Sequence, residues 1–572
     1  MQIVRREAAI ETSLGLQYSD IVDRVLRNRG ISAEHELSVQ AKHLQHYNKL
    51  DDIDKAAELL ADAIEAQKRI FIIGDFDADG ATSTALCMLA LRKMGCSQVD
   101  YIVPNRFDFG YGLTSPVVDL AHKSGAQVLI TVDNGISSID GVKYAKSLGM
   151  TVVVTDHHLP GEVLPIADAI VNPNQVSCGF ASKNLAGVGV AFYVMSAVKN
   201  TLEKRDYFKN RNIAPPNMAD YLDIVAVGTV ADVVVLDKNN RILVHQGIQR
   251  IRSGKTRPGI LALLSITNRQ YTRCCTSDIG FVIGPRLNAA GRLDDMSLGI
   301  ECLLCESANE AADIALKLDG LNQSRRDIEQ SMRSQAETAL SELSLDPLNM
   351  PAALVLYNEE YHQGVIGIVA GRIKEQFYRP SIVFANDKEQ IIKGSARSIQ
   401  GVHIRDVLAR VDSLHPGLIH KFGGHAMAAG LSLDKVNLPL FERALIDVVS
   451  ELSKDLPKEA IISSDGELNY KQLTMDNAHA LKFSLPWGQG FEEPLFDGVF
   501  TLVDQRLVGK NHLKMTLGLG EMYLDAIAFN IDLTQWPNPA IRQVNIAYKL
   551  DINEFRGQHT LQLVVNTLEP AE

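Results

Sequence analysis

Between residues 69 and 171, short aliphatic runs alternate with helix-length amphipathic segments: RIFIIGD, GATSTALCMLALRKMG, VDYIVP, SPVVDLAHKSG, AQVLITVD, SIDGVKYAKSLG and MTVVVTD. The runs are continuously apolar, which calls for burial on both faces, and helical crossovers between them call for a parallel sheet covered by helices on each side. An α/β core is therefore expected. NLAGVGVAFYVMSAVKNTLEK and MADYLDIVAVGTVADVV read as further helices on it. Residues 308–343 have no Gly after Gly320 and no Pro, and read as one long helix able to join two lobes. A break at LSLDPLNMP, with Pro347 and Pro351, precedes a second α/β pattern beginning AALVLYNEEYHQGVIGIVAGRIKEQF. The runs FTLVDQRLVG, HLKMTLGL, VNIAYKLDI and HTLQLVV then predict a small all-β module, a barrel.

At 572 residues the chain has room for about three or four domains, and 46% hydrophobic content gives each a core. The opening MQIVRREAAI turns charged at once, and Asp or Glu interrupts each long apolar stretch, so a soluble, unexported, cytoplasmic protein without a membrane span is expected. Seven scattered Cys, with Cys274 and Cys275 adjacent rather than at ligand spacing, predict a reducing compartment and buried or idle thiols. The net charge of -12 argues against wholesale coating of nucleic acid and leaves room for a local basic groove.

In an open parallel sheet, ligands bind beyond the carboxyl ends of the strands. The acidic residues collect there: Asp75, Asp77 and Asp79 after the first strand, Asp133 in TVDNGIS, and Asp156, His157 and His158 in VTDHHLP. Asp232 stands in the otherwise apolar VGTVADVVVL, where an unpaired carboxylate would be expensive. Singly, each has a plain explanation. Asp133 fits a helix N-cap, Asp79 before Gly80 a turn, His158 a satisfied core histidine and Asp232 an Arg partner. Together they call for a cation. Carboxylates with imidazole suit Mn²⁺ or Mg²⁺, and the lack of nearby Cys disfavours a thiolate zinc site. Two such ions, about 3.5 to 4 Å apart and sharing a carboxylate, activate water and hold the oxygens of an in-line phosphoryl displacement.

GDFDADG, TVDNGIS, VTDHH and GTVADVV resemble the four motifs of the DHH phosphoesterase superfamily, and GSARS with FGGHAMAAG resembles its accessory DHHA1 domain. With GPRLNAAGRLDDM and the β-rich tail, the match extends over nearly the whole chain and is nearest to the proteobacterial single-stranded-DNA-specific 5′-to-3′ exonucleases of that superfamily. The resemblance implies an α/β fold: a parallel-sheet DHH catalytic domain, a long connecting helix, a smaller α/β DHHA1-type domain and a C-terminal OB-like β-barrel. The expected boundaries are 1–48 for an N-terminal segment packing on the core, 49–305, 306–345, 346–455 and 456–572. It implies Asp75, Asp77, Asp133, His157 and Asp232 as metal ligands with Asp133 the bridge, Asp79 as a ligand or close to one, and His158 facing the scissile phosphate. Many relatives carry a His two residues before the first Asp of the motif; here that residue is Ile73, so the resemblance implies an outer site without that imidazole.

For the polymer, Arg286, Asn288 and Arg292 in GPRLNAAGR offer guanidinium forks and backbone amides in a Gly-rich context, or else a tight loop with Arg bridges to surface acids. YHQGVIGIVAGRI places small residues at a helix start between His362 and Arg372, suited to an anion or to close helix packing. Ser395 and Arg397 in KGSARS, and Gly423, Gly424 and His425 in KFGGHAMAAG, complete what the resemblance implies is a pocket for the 5′ end and adjoining phosphates. In the tail, Trp487, Tyr548 and Phe555 offer stacking faces or core packing, and Lys510, His512, Lys514 and Arg556 a phosphate track or solubilising charges.

Three function classes follow: a processive exonuclease on a single strand threaded between two lobes, a DHH phosphoesterase acting on pyrophosphate, short oligonucleotides or cyclic dinucleotides, and a non-catalytic replication scaffold. Length and the added domain argue against the second, and the intact acids and histidine against the third. Partners implied by the resemblance are single-stranded DNA, single-strand-binding protein and a RecQ-type helicase, met by a monomer.

Overall fold

The computed structural model describes residues 2–8, 13–15, 19–104, 112–342, 350–388, 390–454, 456–457, 459–555 and 557–571. Most of the LSLDPLNMP break, and Arg556, lie outside these residues. The chain divides into two compact units, one of Ile3–Asp319 with Ile462–Glu572 and the other chiefly Gly320–Ile461.

In the larger unit, β1 (Ile70–Ile73), α1 (Ala78–Lys93), β2 (Val99–Ile102), β3 (Val128–Val132), β4 (Thr151–Thr155) and β5 (Ala169–Val171) build an all-parallel sheet of order β2-β1-β3-β4-β5. The continuous apolar runs have the expected cause. Ile70 and Ile72 enter one core cluster with α1, α2 (Gly187–Lys204) and the helix Ile53–Glu65, whereas Phe71 and Ile73 enter another beneath the helices Ser115–Lys123 and Ile139–Ser147. Strand order reverses at β1, so its carboxyl end and that of β3 open the crevice where ligands of such sheets bind. The core continues through α3 (Leu222–Ala231) and α4 (Gly284–Leu293). GPRLNAAGR is thus helical and not a loop; Pro285 sits in its first turn, where a missing N–H costs nothing.

The long helix is present as α5 (Ala308–Glu342). In the smaller unit, β6 (Leu354–Tyr357), α6 (Ile366–Phe377), β7 (Ser381–Lys388), β8 (Ile391–Arg397), α7 (Ile404–Leu414), β9 (Lys421–Gly424), β10 (Ala428–Asp434) and α8 (Leu438–Leu452) form a mixed sheet of order β9-β10-β8-β7-β6. Ile392, Ala396, Leu431 and Leu433 face α7 and α8 through Val407, Phe441 and Val448, and α6 lies against β7 and β8.

The tail is a closed barrel, β11 (Phe496–Val508), β12 (His512–Leu519), β13 (Met522–Ala528), β14 (Gln543–Phe555) and β15 (Gln558–Pro570), with β13 and β15 parallel and the other neighbours antiparallel. Tyr548 and Trp487 are core residues here: Tyr548 meets the edge of Phe500, and Trp487 stacks on Phe491. His512 accepts from the Asn530 N–H, and Lys514 pairs with Asp525 at 3.1 Å. All seven Cys are free thiols, six of them buried. Among the described residues no helix is long and apolar enough to cross a membrane.

The N-terminal segment does more than cover the core, because the helix Asp20–Asn28 also ties down the approach to the barrel. Arg29 forks onto Asp465 at 2.7 and 2.9 Å, both side chains almost fully buried, and Arg24 donates to the Glu467 carbonyl. Arg29→Ala strands a buried carboxylate and should lower unfolding free energy by about 3 to 5 kcal/mol. The urea midpoint checks this, and replacing both partners by apolar residues should recover much of the loss.

Candidate metal centre and phosphate pocket

At the end of β1 the chain turns through Gly74, Asp75 and Phe76 into α1. Asp77 caps that helix, its Oδ1 accepting from the N–H of Asp79 and Gly80 at 2.9 and 3.0 Å. Asp79, in the first turn of α1, reaches the start of α2, where its two oxygens accept from Gly187 and Val188 N–H at 2.6 and 2.9 Å. Asp133 follows β3 in left-handed backbone, φ +60°, a conformation Asp tolerates better than most residues. Asn134 locks the two acid-bearing strand ends together, donating to the carbonyls of Ile73 and Val132. Ile73 itself is wholly buried in the apolar layer below. Asp232 arrives from elsewhere, at the carboxyl end of α3, whose dipole also favours a cation.

These residues converge. Three sets have ligand atoms within 4.8 Å of one another: Asp75, Asp77 and Asp133; Asp133, His157 and His158; and Asp79, His157 and Asp232. Asp133 is common to the first two and His157 to the last two. His157 Nε2 is buried and makes no hydrogen bond among the described residues, with Asp133, Asp232 and Asp79 oxygens at 3.1, 3.5 and 3.9 Å. A buried imidazole nitrogen aimed at three carboxylates without bonding any of them fits a divalent ion as the missing partner.

Protonation follows the same logic. Burial, then the charges of Asp79, Asp77, Asp75 and Asp232, pushes the Asp133 carboxyl well above the ordinary range, and burial with Asp79, Asp77 and Asp75 does the same to Asp232. Asp79 is pushed up to about 7 by burial and Asp77, against its two amide bonds. Without a cation these groups cannot all ionise. His157 is lowered to about 4 by burial and by His158, and stays neutral, the form in which an imidazole could ligate a metal. Burial also opposes charge on His158, yet the hydrogen bond and charge of Asp156 outweigh it, raising His158 to about 9. Asp156 is the fixed point of this pair. It accepts from Ile136, His157 and His158 N–H and from His158 Nδ1 at 2.7 Å.

Sequence reasoning gave Asp156 no role and passed over Asn134, Asn172 and Asn174. The Asn172 and Asn174 amides donate to the carbonyls of His158 and His157, fixing the histidine pair from behind. Their only sequence signal was Asn-Pro-Asn after β5, which reads as an ordinary turn. Asn288 Oδ1 accepts from Ala78 N–H at 2.9 Å, bracing the start of α1. Arg286 is buried, donating to the Val282 carbonyl and pairing with Asp319 at 2.6 Å, and Arg292 is half-buried on the same helix.

In the smaller unit a different chemistry gathers. Arg397 is half-buried, and among the described residues it donates only to Ser395 Oγ and the Ala396 carbonyl and pairs with no carboxylate. Burial alone pulls its guanidinium below the ordinary value. A Cβ on Gly367, in the first turn of α6, would stand 2.9 Å from both Arg397 Nη2 and Ser395 Oγ, so the helix start lies close against both side chains. Gly423, Gly430 and Ser395 are register partners across β9, β10 and β8, and Gly423 is open to solvent. Gly424, at φ +146°, turns the chain toward His425, whose N–H donates to Ala428. A half-buried guanidinium, a hydroxyl, a helix start and a glycine shelf are groups that could hold an anion. His362 and Arg372 stand apart in character: His362 Nδ1 accepts from Gly364 N–H, and Arg372 pairs with Glu329 and Glu375.

Gly187 sets the separation of α2 and the end of β3, since a Cβ there would meet Asp133 Cβ at 2.6 Å and Oδ1 at 2.9 Å. Gly187→Ala should weaken Mn²⁺ binding by roughly 10- to 100-fold, as loss of a ligand's support does. Titration calorimetry measures this, with circular dichroism expected to stay unchanged.

The comparisons agree on all three domains. The DHH family N-terminal domain matches residues 69–229, the DHHA1 domain residues 351–454 and the RecJ OB domain residues 464–567. The chain is 52% identical to the single-stranded-DNA-specific exonuclease RecJ of Escherichia coli over 100% of its length and 99% of that protein, and 50% identical to the Haemophilus influenzae protein of the same name over 100% and 99%. It is also similar to the crystal structure of RecJ in complex with Mn²⁺ from Thermus thermophilus, with a TM-score of 0.79 and 26% identity, covering all of this chain and 79% of that one. The strand-end acids, the His157–His158 pair and the closed terminal barrel thus stand in one architecture, and the chain belongs to the RecJ family of DHH proteins.

Proposed function

We propose that the chain is a metal-dependent exonuclease that hydrolyses single-stranded DNA from the 5′ end to mononucleotides, in DNA repair and recombination. One observation carries this reading: two buried carboxylates, Asp79 and Asp133, and the half-buried Asp232 converge on an imidazole nitrogen that none of them bonds. Asp75, Asp77, Asp133, His157 and Asp232 would hold Mn²⁺ or Mg²⁺, with Asp133 shared and Asp79 bordering the set. Such ions, when bound, acidify a water and neutralise the nonbridging phosphate oxygens.

The residues of the chain do the rest. Asp156 fixes His158, whose positive charge opposes the charge that develops on the phosphate. Arg397, Ser395 and the start of α6 bind a terminal phosphate, and the open glycines Gly423 and Gly430 let the next backbone approach. His425, His362 and Arg372 serve the same pocket of the smaller unit, and Arg292, on α4 of the larger unit, is a further phosphate contact. Asn288 and Arg286 act through the turn they brace. The five-segment division at 48, 305, 345 and 455 remains our domain assignment. In this reading the protein works as a cytoplasmic monomer, on strands opened by a RecQ-type helicase and covered by single-strand-binding protein.

End-labelled single- and double-stranded DNA, incubated with Mn²⁺, Mg²⁺ or chelator, tests the proposal. Mononucleotides should leave the 5′ end of the single strand only, and chelator should stop the reaction. Hydrolysis confined to dinucleotides or pyrophosphate would point to the small-substrate phosphoesterases instead. Asp133→Ala should reduce cleavage by at least about a thousandfold while single-strand binding stays measurable; near-normal cleavage removes Asp133 from the metal set. Arg397→Ala should raise KM for a 5′-phosphorylated strand by roughly tenfold or more with kcat little changed, and should affect a 5′-hydroxyl strand much less.

A further inference from the structure

Phe281 is 74% exposed, more than any other Phe, Tyr or Trp among the described residues. Phe belongs in interiors, and its neighbours Ile279, Val282 and Ile283 are indeed buried. It sits on a π-helical turn, Ile279–Ile283, directly before α4. Such turns insert one extra residue and concentrate at functional sites.

The turn lies on the last turn of α3, which ends in Asp232. A Cβ on Gly284 would stand 3.2 Å from Ala231 Cβ, and one on Gly280 would stand 3.8 Å from Val230 Cγ1. From there α4 carries Asn288 to the Ala78 N–H and Gly291 against the Phe76 carbonyl. Gly284, Asn288 and Gly291 recur every three or four residues along α4, and so share one helix stripe. All three lie against segments that bear the acidic residues. Phe281, in the π turn just before them and next to Gly280, leaves that seam and stands in solvent. Beyond Asp232, Val233 is 63% exposed in left-handed backbone, φ +61°, where a β-branched residue stays only if its surroundings hold it. An aromatic ring and an apolar branch thus stand on elements that meet beside Asp232.

We propose that Phe281 is a stacking platform for one nucleobase of the substrate strand next to the scissile phosphodiester. Val233 packs against the same nucleotide. The inference rests on the single-strand nuclease reading of the metal centre. A phenyl ring offers a π face and no hydrogen bond, so it accepts any base, as an enzyme that removes each nucleotide in turn requires.

Cleavage of a short 5′-phosphorylated oligonucleotide in Mn²⁺ by the full chain tests this. Phe281→Ala should raise KM roughly 5- to 50-fold with kcat within about twofold, because stacking is uniform binding, and Phe281→Trp should restore it. A series of strands, each with one abasic residue among the first several positions, supplies the second readout. At one position the missing base should raise KM for the wild type and have no further effect on Phe281→Ala. An unchanged KM in Phe281→Ala, a loss confined to kcat, or equal abasic penalties in both proteins at every position would overturn the platform. Wild-type cleavage in the same assay reports separately on the nuclease reading.

Discussion

Like charges brought together in a desolvated crevice dominate this molecule. Asp75, Asp77, Asp79, Asp133 and Asp232 are gathered in one place, and for Asp79, Asp133 and Asp232 burial and the neighbouring carboxylates both oppose ionisation. Such a set can ionise together only if further positive charge is supplied beside it. The surrounding packing serves to keep the carboxylates from relaxing apart. Asn134 ties two strand ends, Asp156 with Asn172 and Asn174 freezes the histidines, and Gly187 admits α2 to contact distance of Asp133.

The two units divide the chemistry by sign. The larger unit concentrates negative charge and would take up cations; the smaller one holds a guanidinium without a counter-ion among the described residues and would take up an anion. Phosphate oxygens suit either kind of place, as ligands to a bound cation or as acceptors from an arginine. The chain's net charge of -12 is therefore a poor guide to its ligand. Local fields, not the total, decide what binds.

Much of this was legible in the residues. The continuous run Ile70–Ile73 announced a strand buried on both faces, and the position of Asp133 just past VLITV places it at a ligand-binding edge. What escaped reading had a common cause: residues whose work lies in where their hydrogen bonds go. Asn134, Asn172 and Asn174 look like turn formers, because sequence spacing does not tell an amide that closes a turn from one that grips a distant carbonyl. GPRLNAAGR suggested a loop because Gly and Pro punctuate it, whereas Gly284 and Gly291 mark places where a helix touches other backbone. Trp487 and Tyr548 carry π faces in any sequence reading, and only packing reveals that both faces are spent internally.

Asp79 closes the N-terminus of α2 with two amide bonds while its Oδ2 stands 3.9 Å from His157. One carboxylate therefore serves a fold-holding contact and borders the ion site. Any cation drawing on its charge alters what the cap is worth, and reciprocally an intact cap keeps the acid poised for the cation. By linkage, resistance to heating should climb with the free concentration of divalent ion, so the melting curve of this molecule doubles as a gauge of its occupancy.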